Sequence, residues 1–357
     1  MTVDTLFSWL GGLIPAMEGS GILLVISILI PCLALFLVVA VNAIVMVYAE
    51  RKVSAFMQDR VGPMGQGVGL HAGKWGVLQT VADALKLLTK EDIIPEKADR
   101  FLFILAPFVI FIGAFVTIIA VPFGETTIVA DFNIGIFYIL AMGSFGVIGI
   151  ILAGWSSNNK WSLYGGMRSA AQIVSYEIPA GLSIIVIIML TGTLSMQGII
   201  EYQAGGMGNW IIFANPFTFI AFLIYFISVV AETNRTPFDI PEAESELVGG
   251  FHTEYSGMRW SFFFLSEYAN MLVVCAVAAA GFLGGWHSPI SGYFDSNGWG
   301  IFWMVSKIVF LIFVMMWFRW TFPRLRVDQL MNICWKVFLP MSLINIFGVG
   351  IWTLFFG

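Results

Sequence analysis

The sequence predicts an all-α integral membrane protein with eight transmembrane helices and an amphipathic helix on the inner face. Three observations lead to this fold class. First, 59% of the 357 residues are hydrophobic and 11% are charged, whereas soluble domains carry about 25% charged residues. Second, eight apolar runs are long enough to cross a bilayer, which takes about 20 helical residues. Third, the basic residues lie almost entirely on alternate connections between these runs.

The predicted spans together form a single polytopic membrane domain, 1–357. They cover 22–49, 101–121, 133–155, 174–194, 211–232, 261–283, 299–318 and 336–355. Tryptophans near many span ends are typical of anchors at the membrane–water interface. No basic residue precedes Arg51, which argues against a cleaved signal peptide at the N-terminus.

The orientation is predicted from the basic residues. The odd-numbered connections carry 16 of the 17 Lys and Arg residues; they are 51–100, 156–173, 233–260 and 319–336. Because Lys and Arg beside short spans are retained on the cytoplasmic side, both termini are expected on the non-cytoplasmic side. The remaining cation, Lys307, lies inside the seventh span. Either snorkelling to the outer surface or a place in an ion path would account for it.

An amphipathic helix is predicted between Trp75 and Lys90. Apolar residues at helical spacing form one face, namely Val77, Leu78, Val81, Ala82, Leu85 and Leu88. The other face carries Lys74, Gln79, Asp83, Lys86 and Lys90. This pattern indicates a helix lying on the inner membrane surface.

The segment 231–260 is unusually acidic, with six of the chain's 22 carboxylates against two arginines. The acids are Glu232, Asp239, Glu242, Glu244, Glu246 and Glu254. Because like charges held together disfavour one another's ionisation, at least one carboxyl in this connection is expected to have a raised pKa. Such a cluster would hold and release protons near neutral pH. A solvated acidic loop is the alternative.

Four acids lie in the inner halves of different predicted helices: Glu50, Glu177, Glu232 and Glu267. Carboxylates at that depth are costly unless they face protein or water, so they indicate function by default. Their similar depth predicts one polar chamber. Structural pairing with Arg51, Arg168 or Arg235 is the alternative.

The three cysteines and three histidines are scattered, with no C-x-x-C pair. A haem, iron–sulfur or zinc site within this chain is therefore not expected. Any redox chemistry that the protein serves would use a cofactor in a partner.

Six stretches carry a specific family resemblance. They are ERKVSAFMQDRVGP, ADALKLLTKE, GGMRSAAQIVSYE, AETNRTPFDIPEAESELVGGFHTEYSG, FLSEYANM and FPRLRVDQLM…WK. On these stretches the chain resembles, over nearly its full length, the quinone-site membrane subunits of proton-translocating NADH:quinone oxidoreductase (respiratory complex I). Members of this family are known as the H subunit in bacteria and as NADH dehydrogenase subunit 1 in mitochondria.

The resemblance implies an eight-helix core that docks a peripheral redox arm on its inner face and forms the membrane part of a quinone channel. Quinone is then the substrate, no cofactor is bound by this chain itself, and NADH, FMN and iron–sulfur clusters belong to partner subunits. The implied partners are the peripheral quinone-site and iron–sulfur subunits, the small and antiporter-like membrane subunits and membrane lipid, with no nucleic acid. The implied location is the bacterial inner membrane.

Carried over by position, the resemblance implies two groups of site residues. The quinone channel would be lined by Arg51, Arg60, Asp83, Arg168, Arg235, Phe264, Arg319 and Arg324. The acid path for protons would comprise Glu177, Glu232, Glu242, Glu244, Glu246 and Glu267. This chain departs from the usual family pattern in a longer, glycine-rich 62–79 segment and in Thr80, which stands where proline is common. The shape of the quinone entrance is expected to differ accordingly.

Two other functions are compatible with parts of the sequence. One is that of the homologous membrane protein of a membrane-bound hydrogenase or another non-NADH dehydrogenase, but the complete ADALKLLTKE and ESELVGGF matches favour the quinone enzyme. The other is a stand-alone cation transporter. The one-sided charge, and a sequence in which no inverted repeat is evident, argue against a transporter.

Overall fold

The computed structural model describes residues 21–64, 75–240, 247–290, 293 and 297–356. Within these residues every regular element is helical. The α-helices are α1 (Gly21–Met57), α2 (Gln79–Thr89), α3 (Arg100–Ile118), α4 (Gly135–Gly143), α5 (Phe145–Ser156), α6 (Lys160–Thr191), α7 (Met196–Tyr202), α8 (Ile211–Ala214), α9 (Pro216–Glu232), α10 (Gly257–Phe282), α11 (Asn297–Thr321), α12 (Val327–Ile333) and α13 (Leu339–Phe356). A π-helical turn, Cys334–Phe338, joins α12 to α13, and 3-10 helices span Met207–Asn209 and Gly250–His252.

Seven helical segments of the described chain are long and apolar enough to cross a membrane. They are Ile22–Met57, Arg100–Ile118, Gly135–Ser156, Lys160–Thr191, Gly257–Phe282, Gly298–Thr321 and Val327–Phe356. The protein is therefore a multi-pass, all-helical membrane protein. Helix α6 begins well before the predicted span 174–194, because Asn159 caps its first turn by accepting a hydrogen bond from the Trp161 amide.

The predicted fifth span, 211–232, is divided at Asn215 into α8 and α9. The Asn215 side chain accepts from the Thr218 amide at 2.8 Å, and the Thr218 hydroxyl accepts from the Asn215 amide at 3.2 Å. This capping box, with Pro216 at the first helical position, starts a new helix. Helix α9 is apolar and has 17 residues, fewer than any of the seven long segments.

Helix α10 lies at the centre of the bundle, where residues 276–280 are at most 2% exposed. It packs against α1, α3 and α11, while α6 packs against α5, α9 and α13. Small residues let the backbones of α5 and α6 come close together. A Cβ on Gly154 of α5 would lie 2.8 Å from the Ser162 carbonyl oxygen of α6. Such contacts between small residues are typical of membrane helices.

Helix α2 occupies the segment predicted to be amphipathic. Thr80 is 5% exposed and Asp83 contacts Arg51 on α1, whereas Leu85 and Leu88 are 47% and 59% exposed. One side of the helix therefore packs on the bundle through Thr80 and Asp83, and its leucines lie on the protein's outer surface.

Lys307 lies near the N-terminal end of α11 and is only 8% exposed. Its Nζ donates to the carbonyl oxygens of Gly285 and His287, both at 2.8 Å, and lies 4.3 Å from the centre of the Trp210 ring. These carbonyls follow the C-terminal end of α10, where a cation offsets the helix dipole. The side-chain nitrogen of Lys307 is thus held inside the protein by carbonyls of the connection between α10 and α11.

Candidate functional site

A buried network of charges joins α1, α10 and α11. Glu50 accepts hydrogen bonds from Arg235 Nη1 at 2.9 and 3.1 Å and from the Tyr268 hydroxyl at 2.5 Å. Arg319 contacts the same carboxylate, and Arg235 Nε lies 2.8 Å from Glu267. Two acids and two arginines therefore compensate one another, and Glu50 and Arg235 are the members most shielded from water, with side chains 9% and 8% exposed.

The turn that carries Arg235 is fixed by an amide on α6. Gln172, 2% exposed, donates from Nε2 to the carbonyl oxygens of Ala231 and Phe238, both at 2.7 Å. Between them, Asn234 adopts a φ of 51°, a left-handed conformation that asparagine tolerates better than most residues. One side chain thus closes the turn after α9 and sets the backbone position of Arg235.

Four cavities adjoin one another in series. Cavity A, about 340 Å³, lies between α1, α2 and α10; cavity B, about 120 Å³, surrounds Arg235. Cavities C and D, about 70 and 30 Å³, lie beside Glu232. A shares Trp260 and Phe264 with both B and C, B and C share Glu267, and C and D share Glu232. The series leads from α2 at the edge of the bundle to its interior.

Cavity A is mostly apolar with one charged edge. Its apolar wall comprises Ala40, Ala43, Ile44, Val47, Phe264 and Leu265. At its edge Arg51 and Asp83 are 2.6 Å apart, with side chains 43% and 32% exposed, and Gln79 donates to Asp83 at 3.2 Å. A largely apolar space with a few placed polar groups suits a small amphipathic ligand.

Three of the predicted path acids lie in the walls of adjoining cavities. Glu267 lines B and C, Glu232 lines C and D, and Glu177 lines D, where it accepts a hydrogen bond from Ser144. Within the residues that the structure describes, Glu232 makes no hydrogen bond or ion pair. The alternative of structural pairing with arginine therefore applies to Glu50 and Glu267, but not to Glu232.

The other predicted site residues are distributed differently. Arg60 is exposed beyond α1 and contacts Gln58. Arg168 lies half-buried on α6 and is not among the residues lining cavities A to D. Arg324 pairs with Asp239 at 2.8 Å. Asp239 and Arg319 line cavity B. Glu242, Glu244 and Glu246 lie outside the described residues.

Two acids of the 231–260 segment make structural contacts. Asp239 pairs with Arg324, as above, and Glu254 accepts a hydrogen bond from Asn159 at 2.6 Å. Neither carboxylate is therefore simply solvated, as a surface loop would require. The proton-exchange interpretation rests on Glu232 and on the three glutamates outside the described residues.

Sequence reasoning missed the hub of the network. It placed Glu50 in the chamber and named Arg235 among three candidate arginine partners, but it did not predict Arg319 or Tyr268 as partners of this carboxylate. Its arginine partners stand 185 and 269 positions away, a separation at which no local pattern operates. Tyr268 and Gln172 carry no charge, so the only available signal was a polar residue inside an apolar run.

His252 lies outside the long helices, at the end of the turn Gly250–His252, and lines cavities B and C. Gly250 has a φ of 64°, and a Cβ on Gly165 of α6 would come within 2.6 Å of its Cα, so the turn sits directly on α6. Burial lowers the pKa of His252 from 6.5 to about 4. The imidazole is therefore neutral at physiological pH.

We expect this burial to make stability depend on pH. Between about pH 6.5 and 4 the unfolded chain binds a proton that the folded chain does not, so stability is present above pH 6.5 and falls as the pH drops through this window. The loss should reach about 2–3 kcal/mol. His252→Gln should reduce this pH dependence. The measurement is the thermal-unfolding midpoint of the solubilised protein at a series of pH values from about 7 to 4.5. Parallel pH curves for the two proteins would contradict the assignment.

Comparison with known proteins identifies the family of this chain. The NADH dehydrogenase family model matches residues 30–350. The H subunit of NADH-quinone oxidoreductase from Chlorobaculum tepidum is 55% identical over 318 residues, which cover 86% of this chain and 87% of the relative. The first of the H subunits from Geobacter sulfurreducens is 48% identical over 346 residues (91% and 94%), and the one from Bacteroides thetaiotaomicron is 48% identical over 331 residues (90% and 90%). The chain therefore belongs to the NADH dehydrogenase family, among the H subunits of NADH-quinone oxidoreductase, respiratory complex I.

Proposed function

We propose that this chain forms the membrane part of the quinone channel of a proton-translocating NADH:quinone oxidoreductase and couples quinone reduction to proton movement through buried acids. The observation that supports this most is the series of cavities from the Arg51–Asp83 pair to Glu232 and Glu177. The names of the relatives favour this function over that of a hydrogenase component or a stand-alone transporter.

The proposed topology has eight spans in one domain, 1–357, with α9 as the fifth. Its 17 residues are at the lower limit of about 17–25 that a membrane helix needs. Both termini then face the non-cytoplasmic side, and the basic connections form an inner face on which the peripheral quinone-site and iron–sulfur subunits dock. Helix α2 lies at the inner interface with its exposed leucines towards lipid.

In this proposal quinone enters cavity A from the bilayer. Its apolar tail lies against α1 residues such as Ala43 and Val47, and its polar head approaches the Arg51–Asp83 pair. Phe264 lines cavities A, B and C and stands between A and the other two. The arginines beyond, Arg235, Arg319 and Arg324, would face the head group or the docked arm, and Arg60 and Arg168 the channel mouth.

Coupling would pass through Glu267. Reduction of quinone to quinol consumes protons together with electrons, and protons drawn from groups beside cavity B would leave those groups with a changed charge. Because Glu267 pairs with Arg235 and also lines cavity C, a change in that pairing alters the electrostatic field at Glu232. Glu232 would then exchange a proton with Glu177 across cavity D, and onward to the antiporter-like subunits.

Asp83→Asn tests the channel. Without the carboxylate, Arg51 loses its partner at the edge of cavity A, and we expect the apparent KM for a short-chain quinone to rise about three- to tenfold, as for loss of one partly exposed charged hydrogen bond. NADH oxidation by an artificial acceptor in the soluble arm should not change. Asp92→Asn is the matched control, since Asp92 is similarly exposed, at 38%, and pairs with Arg259 away from the cavities. An unchanged KM for Asp83→Asn in an assembled complex would rule cavity A out of the quinone path.

A further inference from the structure

Thr80 has a buried hydroxyl that nothing in the described part of the chain satisfies. It is the second residue of α2, lines cavity A and is 5% exposed, and its Oγ1 has no hydrogen-bond partner among the described residues. Thr117 and Thr191 instead donate to carbonyls of the preceding turn, at 2.6 and 3.0 Å, as is usual in helices. For Thr80 the corresponding carbonyls are those of Gly76 and Val77, which precede the helix, and its hydroxyl donates to neither.

A buried hydroxyl without a partner is unfavourable, and such groups call for an explanation. Thr80 stands in the wall of cavity A, and although its Oγ1 is enclosed by protein in this rotamer, a ligand in the cavity can bring the missing partner once the side chain rotates. Threonine in a helix divides between two χ1 rotamers. A rotation about one bond therefore suffices to present the hydroxyl to a bound molecule.

The surroundings of Thr80 define the chemistry of that molecule. Asp83 and Lys86, one and two turns further along α2, and Arg51 opposite, place the charged groups of cavity A together. The α1 wall is apolar. A ligand with an oxygen-bearing head and an apolar remainder matches this division.

A hydroxyl also differs from the cationic groups near it. Arginine and lysine can only donate hydrogen bonds, whereas a threonine hydroxyl both donates and accepts. It can therefore donate to a quinone carbonyl and accept from a quinol hydroxyl. The Arg51–Asp83 pair divides these abilities between two side chains, whereas the threonine hydroxyl combines them in one group.

We propose that the Thr80 hydroxyl forms a hydrogen bond with the head-group oxygen of quinone or quinol in cavity A, and so selects these molecules over apolar membrane lipids during passage. This inference rests on the proposed role of cavity A as the quinone channel. It adds a neutral, two-way hydrogen-bonding residue to the charged pair at the cavity edge.

Two substitutions separate hydrogen bonding from packing. Thr80→Val keeps the shape and removes the hydroxyl, whereas Thr80→Ser keeps the hydroxyl and removes a methyl group. In membranes containing the whole complex, with a decyl-substituted benzoquinone as the probe, we expect Thr80→Val to raise the apparent KM about three- to tenfold with kcat within twofold, the effect of one lost hydrogen bond. Thr80→Ser should stay within twofold of the unmodified protein. The reverse order, with Ser impaired and Val normal, would show a packing role and overturn the proposal.

The Asp83→Asn complex, measured in parallel, distinguishes the two levels of the argument. If Asp83→Asn raises the KM and Thr80→Val does not, the channel stands and the role of Thr80 is refuted. If neither variant changes the KM, the channel assignment fails and the role of Thr80 fails with it. Artificial-acceptor activity in the same membranes reports whether each complex has assembled.

Discussion

Replacing Glu232 by glutamine should abolish quinone-linked NADH oxidation and proton pumping together. Glu232 ends α9, lines both inner cavities and has no hydrogen bond or ion pair within the described chain. Glutamine keeps its size and one carbonyl acceptor but cannot take up a proton. If the acids form an obligatory relay, both rates should fall at least about tenfold, because a positioned proton-transfer group typically contributes about 10²–10⁴-fold.

The control measurements separate a stalled relay from a failed assembly. NADH oxidation by an artificial acceptor ends in the soluble arm, so it should survive in Glu232→Gln membranes. Glu201→Gln, a change of the same chemistry at an exposed position on α7, should leave all three activities intact. An assembly defect is not expected, because Arg235 is neutralised by Glu50 and Glu267 rather than by Glu232. Normal pumping by Glu232→Gln would refute the relay.

Hydropathy located most of the helices, and its errors have a physical cause. The predicted span 101–121 corresponds closely to α3, where Asp99 caps a continuous apolar run. The predicted span 174–194 misses the first turns of α6, which begins at Lys160. Those turns contain small and polar residues that are buried against α5 and the Gly250–His252 turn. Burial against protein rather than lipid is invisible to a hydropathy scale.

Some features of the candidate site could be predicted from the sequence and others could not. Acids inside apolar runs stand out, so Glu177, Glu232 and Glu267 could be assigned to the chamber from depth alone. The sequence offered three candidate arginine partners, and packing decides which of them reaches which acid. The contact of Asp83 with Arg51 of another helix likewise depends on packing. The roles of Glu242, Glu244 and Glu246 remain predictions from the sequence.

Arg235→Gln should cause the largest loss of stability of any single charge replacement in the network. Glu50 and Glu267, with side chains 9% and 24% exposed, would lose the guanidinium that lies between them. The stack of Arg235 on the Tyr268 ring, at 4.7 Å, would also be lost. Removing one partner of a buried ion pair costs about 3–5 kcal/mol, since the other charge is left uncompensated. We expect a lower thermal midpoint of the purified complex and less of it in the membrane.

Two comparisons make this test specific. Arg324→Gln is the same chemical change in a pair with Asp239 whose side chains are 41% and 14% exposed. Because Arg324 is far better hydrated than Arg235, at 8%, its replacement should cost less stability. Adding Glu267→Gln to Arg235→Gln should restore part of the lost stability, because it removes a carboxylate that has no counterion; the coupling between the two changes measures their interaction. Arg319 still compensates Glu50 in that double variant. Two outcomes would contradict this prediction: equal losses of stability for Arg235→Gln and Arg324→Gln, or no recovery of stability in the double variant. Either would mean that water solvates the buried charges well enough for them to remain unpaired. The chamber would then be open to water on the Arg235 side.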